Sequence, residues 1–489
     1  MPFNRRKLLI GAGAASLSNR IPFAFAQTTP PLMTVTSRTI DVKGRATKIF
    51  SLIGAKGASG LIVEEGERFT GEVANKTSAP LIMHWHGQVF AAADQDRSRK
   101  GGGGLAPGAS DKHDFLLTPG THWMHSHQLT EQQLLAAPMI ALEKNRGEAQ
   151  DVVIMLHDFA FRSPEEILSQ LRASAALGGS SGQASSGAGH ASPAMQPGMG
   201  PGGMMMSGNR PMTGNSRMPA MVPHANDVAY DAYLANDRTL DDPEVIRIDK
   251  GGRVRLRIIN GATATAFFID TGRIQADVIS VDGTPCEPLR ATRFPLAQGQ
   301  RIDLSLVIPA QGGAFPIVAE VEGDSRRTGV ILASAGAEVS KVSALTETPS
   351  EFVSLALEAQ LRAKYPPPPK RADRTYHLML GEESGYRWTI NGKIHGEHAP
   401  IEAKLGERVE IMFMNPTMMT HPMHLHGHHF QVVGIGSNRF SGPIRDTVIV
   451  PPHTPILVAF DADKRGDWNL HCHHLYHMAA GMMTELSVS

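Results

Sequence analysis

The chain reads as an all-β protein assembled from three copies of one strand-rich unit. A ten-residue frame runs from Gly66 to Asn75, again from Gly251 to Asn260, and a third time from Gly406 to Asn415. Each copy has Gly first, Arg two residues on and Asn nine residues on, with apolar side chains at alternating positions between them. Alternation with period two is the pattern of a half-buried strand. One match would be an ordinary turn-strand pattern; three with identical spacing indicate an internal repeat. A short helical signal lies between the first two units.

Composition narrows the class. The chain has 489 residues, and 47 basic side chains balance 47 acidic ones, so no charge excess points to nucleic acid. Its 22 His and 23 Met are unusual beside two Cys, Cys286 and Cys472. If Cys472 serves a metal, no disulfide is available. Residues 1–26 read as an export signal: Arg5-Arg6-Lys7, a mildly apolar run from Leu8 to Leu17, and a small-residue site at Ala24-Phe25-Ala26. Adjacent arginines before a weak apolar core fit the twin-arginine route, which carries folded proteins. The expected location is therefore the periplasm, or the exterior. No later stretch reaches the roughly 20 apolar residues of a membrane-spanning helix.

In chain order, strands are expected at Thr34 to Ile40 and Lys48 to Ile53, opening a first domain at 37–146. Ser163-Pro164-Glu165-Glu166 carries an N-cap, a proline at the first helical position and a capping-box Glu, which predicts a helix to about Ala173. That helix opens a second domain at 147–340. Inside it, 178–226 is rich in Gly, Ser, Pro and Met, and reads as a disordered insertion with too little apolar surface to order itself. Its thioethers are soft donors suited to Cu(I). A linker at 341–372 contains Tyr365-Pro366-Pro367-Pro368-Pro369, an expected polyproline spacer, and the third domain occupies 373–489.

The repeat doubles as a map of metal donors. Nine residues after the frame Asn lie His84, Ile269 and His424, and eleven after it the outer copies carry His86 and His426. A second frame, five residues beyond a glycine, gives His125, Val318 and His471. The middle unit thus has apolar residues where the outer two have histidines, and reads as a spacer that carries no metal. His421 and Cys472 fall where the first unit has Leu81 and Ser126. In the tail, His471-Cys472-His473 alternates along a strand, so the thiol faces one way and both imidazoles the other. A thiolate, an imidazole and a distant thioether are the donors of a blue-copper site. Any one His-x-His pair is weak evidence, but four pairs at equivalent points of a duplicated unit can converge. The remaining histidines, among them His428, His429 and His474, read as ordinary core or surface residues.

The motifs His84-Trp85-His86-Gly87, His125-Ser126-His127, His421-Pro422-Met423-His424-Leu425-His426 and His471-Cys472-His473 with His477 and Met482 resemble those of the three-domain multicopper oxidases, the group of laccases and bacterial copper-resistance oxidases. The resemblance implies three cupredoxin-like Greek-key β-sandwich domains and four copper ions. It implies type 1 ligands His421, Cys472 and His477 with Met482 axial, and type 2 ligands His84 and His424. For the type 3 pair it implies His86, His125 and His473 on one copper and His127, His426 and His471 on the other. The implied activity is one-electron oxidation of a small phenolic or metal-ion donor, Cu(I) or Fe(II), coupled to reduction of dioxygen to water. Electrons would enter at His477 or His421 and pass through Cys472. The family's proton-handling carboxylate is matched to Asp94, with Asp96 as competitor, and Met478 stands where several bacterial relatives have Glu. A copper-sequestering protein that uses the Met-rich stretch, with minor oxidase turnover, is the alternative. A monomer is expected.

Overall fold

The computed structural model describes residues 32–54, 57–99, 101–176 and 224–489, and among these strands and loops dominate. Six sheets pair into three sandwiches. In the first, Leu32–Val42, Arg45–Ile53, Arg68–Asn75 and Ser110–Leu116 form one sheet; Leu61–Glu64, Met83–His86, Gly120–Ser126 and Ala136–Leu142 form the other. Met33, Val35, Phe69 and Val73 from one face meet Met83, Trp85, Met124 and Met139 from the other, all buried. This is the apolar set that period-two alternation directs inward. The middle and third sandwiches repeat the plan with larger sheets.

The frame has the same structural role in each unit. Its strand (Arg68–Asn75, Arg253–Asn260, Arg408–Met414) pairs in parallel with the strand that opens the unit, through Leu32↔Glu72, Val254↔Gln150 and Arg374↔Val409. The strand pairing of the first unit thus already includes Leu32, ahead of the expected 37. The Asn that ends the frame is a corner post. Asn75 Nδ2 donates to Ala79 O (2.7 Å) and Leu105 O (2.9 Å). Asn260 Nδ2 donates to Thr265 O (3.0 Å) and Leu296 O (2.9 Å), and Asn415 Nδ2 to Met419 O (2.7 Å) and Val450 O (2.8 Å). In each unit the Asn Oδ1 also accepts the backbone N–H two residues on, at Thr77, Ala262 and Thr417. A buried side chain that closes three backbone bonds fixes where the next strand starts, and that strand carries the His-x-His pairs in the outer units.

Across the outer sandwiches His84 stands opposite His125, and His424 opposite His471. In the middle unit Ile269 stands opposite Ala319, one residue beyond the Val318 that glycine spacing selects. Both positions are apolar, so the correction leaves the contrast between middle and outer units intact.

The helix is Pro164–Ala176 and begins as predicted: Glu166 N–H donates to Ser163 Oγ (3.2 Å), and Ser163 N–H donates to Glu166 Oε2 (3.0 Å). The Met-rich stretch lies outside the described residues up to 223. Its expected end at 226 is corrected, because His224 is bridged to Met419 and Asn226 Nδ2 donates to Thr265 Oγ1 (3.2 Å). Nor is 341–372 simply a spacer. Val353, Leu357 and Leu361 are buried, and the buried Glu358 carboxylate accepts Arg445 Nε at 3.0 Å. The three sandwiches meet at Arg301, which is fully buried. It donates to Thr121 O of the first (3.2 Å), Gly299 O of the middle (2.9 Å) and the Asp446 carboxylate of the third (2.7 and 2.5 Å).

Candidate metal centres

Two donor sets lie on opposite faces of the strand Gly466–Cys472 and its continuation. On one face Cys472 Sγ is 3.6 Å from His421 Nδ1 and 3.8 Å from His477 Nδ1, and those two nitrogens are 3.3 Å apart. A metal with bonds of about 2.3 Å to sulfur and about 2.0 Å to nitrogen, in a trigonal arrangement, requires donor separations close to these. His421 Nε2 donates to Thr417 Oγ1 (2.9 Å), so its Nδ1 lone pair points at the thiol, and His477 Nε2 faces the Asp227 carboxylate at 3.6 Å with its Nδ1 toward the same sulfur. The His477 ring is clasped between Trp388, at 3.8 Å centroid to centroid, and His474, at 3.7 Å. Burial pushes the Cys472 thiol well above its ordinary range and His477 down to about 3. A thiolate in that setting needs a cation beside it. Met482 is buried and anchored next to the pair: its carbonyl accepts Cys472 N–H (3.0 Å), and its N–H donates to His477 O (2.9 Å).

On the other face eight buried imidazoles converge, four from the first sandwich and four from the third. His84 Nε2 is 3.2 Å from His424 Nε2, and His426 Nε2 is 3.0 Å from His471 Nε2. These contacts are not hydrogen bonds. His84 and His426 donate Nδ1–H to Asp96 Oδ2 (2.7 and 3.0 Å), His424 to Asp446 O (2.9 Å), and His471 to Cys472 O (2.9 Å). Burial also holds His84 and His471 well below the ordinary imidazole range and His426 at about 4, so these three rings are neutral. Their Nε2 lone pairs therefore face each other, an arrangement stabilised by a cation between them. His127 Nε2 joins His471 Nε2 at 3.1 Å. In the third group, His86 inverts the pattern: Nε2–H donates to Asp446 Oδ1 (3.0 Å) and Nδ1 has no partner. His125 Nε2 and both nitrogens of His473 are likewise unpartnered, with the three rings 5.1 to 5.6 Å apart. Buried nitrogens without hydrogen bonds are rare unless a ligand satisfies them. The histidines and the cysteine brought together here thus form donor sets that fit a bound metal such as copper.

The carboxylate choice is corrected. Asp94 lies exposed in the 3-10 turn Ala93–Gln95, and Asp96, where that turn ends in extended backbone, points inward to His84 and His426. Burial alone would raise the Asp96 carboxyl, but the two imidazoles hold it well below the usual carboxylate range. Sequence reasoning passed over three further acids. Asp446 orients His86 and is neutralised by Arg301. Glu131 Oε2 lies 3.1 Å from His125 Nδ1, and burial raises its carboxyl. Asp227 bridges His474 Nε2 (3.2 Å) and His477 Nε2, and accepts Tyr386 Oη–H. Each is a single residue with no fixed spacing from a histidine motif. His474, read as an ordinary core residue, is part of this cradle.

Three sandwiches, a Cys-His-His set in the third and a polyhistidine cluster shared by the first and third define a cupredoxin-type redox protein with two linked metal centres. The chain belongs to the multicopper oxidase family: profiles described as "Multicopper oxidase" match residues 34–145, 151–337 and 367–489. It is 29% identical to "Multicopper oxidase MmcO" of Mycobacterium tuberculosis over 438 residues, covering 86% of this chain and 79% of that one. It is 23% identical to "Copper resistance protein A" of Escherichia coli, covering 99% and 95%. In fold it is similar to Fet3p, a multicopper oxidase that functions in iron import (TM-score 0.74, 15% identity, 94% and 90% covered). It is also similar to the laccase from Botrytis aclada (TM-score 0.70, 20% identity, 93% and 87% covered). The chain is accordingly a copper-dependent oxidoreductase that couples oxidation of its substrate to reduction of dioxygen.

Proposed function

We propose that the chain holds four copper ions. One is held by His421, Cys472, His477 and Met482, one by His84 and His424, and two by the sets His86–His125–His473 and His127–His426–His471. Bound copper supplies the one-electron chemistry and the four-electron reduction of dioxygen to two waters. The facing Nε2 lone pairs of His84 with His424 and of His426 with His471 are the observation that carries this reading. The protein's part is to hold and connect. Cys472 is covalently joined to His471 and His473, so one residue belongs to the first donor set while its two neighbours belong to the second. Asp227, Trp388 and His474 fix the His477 ring and shield it from water. Asp96, rather than Asp94, contacts cluster imidazoles, His84 and His426, and of the carboxylates that do so, Asp446 and Glu131 among them, it takes the proton-handling role.

The donor is read as a small phenol or a reduced metal ion, Cu(I) or Fe(II). Support for Cu(I) comes from the end of the Met-rich stretch: His224 N–H donates to Met418 O (3.1 Å), and Asp227, three residues on, touches His477. Export by the twin-arginine route to the periplasm, and a monomeric state, complete the proposal. The test is copper analysis with absorption and electron paramagnetic resonance of copper-replete protein, then oxygen uptake with a phenol, Fe(II) and Cu(I) in turn. Four coppers per chain with a blue band support the reading; fewer than four would sink it. Deleting 178–223 tests the donor: Cu(I) turnover should fall while phenol oxidation persists.

A further inference from the structure

Between the middle sandwich, the stretch at 341–345 and the Lys43–Gly44 turn of the first sandwich lies a cavity of about 640 Å³, the size of a small-molecule site. None of the residues around it belongs to either metal centre. Its floor is apolar and aromatic, with Tyr233 and Leu240 both buried. Four cations line it, Lys43, Arg326, Arg327 and Lys341, against one carboxylate, Asp241. This is a local excess in a chain whose charges balance overall.

The cations differ in how they are held. Arg326 is neutralised and fixed: Nε and Nη2 donate to Asp324 Oδ2 (2.8 and 2.5 Å), Nη1 donates to Tyr230 O (2.8 Å), and Cζ sits 4.9 Å from the centroid of the Tyr233 ring. Arg327 and Lys43 are placed by backbone carbonyls only, Arg327 Nε on Ser343 O (2.8 Å) and Lys43 Nζ on Asp231 O (2.6 Å). A carbonyl satisfies the donor and leaves the charge uncompensated. Lys341 has no hydrogen-bond or ion-pair partner among the described residues. Three uncompensated cations around an apolar floor favour a ligand that brings a negative head and a flat apolar body.

We propose that this cavity binds a small aromatic carboxylate, with the carboxylate between Arg327, Lys341 and Lys43 and the ring over Tyr233 and Leu240. The proposal stands apart from the redox chemistry. Its probe is 1-naphthoate, which has no phenolic hydroxyl to oxidise, titrated into copper-loaded protein by calorimetry. One saturable site per chain is expected. Losing two charge-assisted contacts in Arg327→Gln/Lys341→Gln should weaken it about tenfold or more, with Lys112→Gln on the first sandwich as an unaffected control. Lys341→Gln alone, in an exposed stretch, should weaken it measurably and covers the case in which the double variant does not fold. The neutral 1-naphthamide should bind far more weakly than the acid. No saturable heat, equal affinity in folded variant and parent, or equal binding of acid and amide would overturn the proposal. Inorganic phosphate binding as tightly as naphthoate would overturn the aromatic assignment.

Discussion

Replacing Arg301 by leucine strips the counter-charge from a carboxylate that has no access to water. Arg301 and Asp446 are both fully buried and share two hydrogen bonds, of 2.7 and 2.5 Å. Removing one partner of such a pair leaves an uncompensated buried charge, at a cost of ~3–5 kcal/mol. The pair also joins the middle sandwich to the third, so the loss should appear in the docking of whole units. For units of this size the cost corresponds to a fall in melting temperature of roughly 6–20 °C. The assay is chemical denaturation and calorimetry of copper-free protein, so that metal binding does not mask the difference. Relative to the single variant, Arg301→Leu/Asp446→Leu removes the orphaned charge and adds only neutral losses, the acceptor of the His86 Nε2–H and of the Thr447 Oγ1–H, at a cost of ~1–3 kcal/mol. The double variant should therefore be the more stable of the two. A single variant within about 0.5 kcal/mol of the parent, the range of ordinary surface substitutions, would mean that no uncompensated buried charge is left. So would a double variant less stable than the single.

Asp96→Asn should lower oxygen turnover and copper retention about 10–100-fold, as loss of a carboxylate behind metal ligands does, whereas Asp94→Asn should change neither; steady-state oxygen uptake with copper analysis separates them. Glu322 is buried with the Val353 N–H as its hydrogen-bond partner (2.7 Å), and burial raises its carboxyl from the ordinary 4.5 to about 7. The folded state then holds this proton more tightly than the unfolded chain, so the stabilisation is complete below pH 4.5 and is lost as pH rises to about 7, amounting to ~3 kcal/mol. Urea midpoints at pH 5 and pH 8 should draw together in Glu322→Gln, which keeps an acceptor for Val353. Met482→Leu removes the thioether that the proposed assignment gives to the Cys472 copper and should raise the potential of the blue site in a redox titration, since that potential is tuned by the axial ligand.

Much of the site was legible because repetition marks it. The corner Asn appears three times since each unit must close the same turn, and the His-x-His pairs follow it at fixed distance because a strand starts there. Comparison of copies then isolated Cys472 and His421 as the residues with no counterpart. The residues that escaped act alone and come from elsewhere in the chain. Arg301 and Asp446 meet across two units, and Asp227 reaches His477 from the far end of the insertion. No spacing rule links such partners. The choice between Asp94 and Asp96 turned on where a three-residue helical turn ends, which lies below the resolution of pattern reading. The ordered stretch before the prolines did leave a trace: Val353, Leu357 and Leu361 recur every four residues and are buried.

In the proposed assignment Cys472 serves one metal centre while its two neighbours serve another. Cys472→Ser, loaded with copper and measured by metal analysis with absorption and electron paramagnetic resonance, tests this most directly. Loss of the blue band and of donor oxidation is expected, with the copper held by the eight histidines retained. Loss of all the copper, or a blue band that survives, would contradict that assignment.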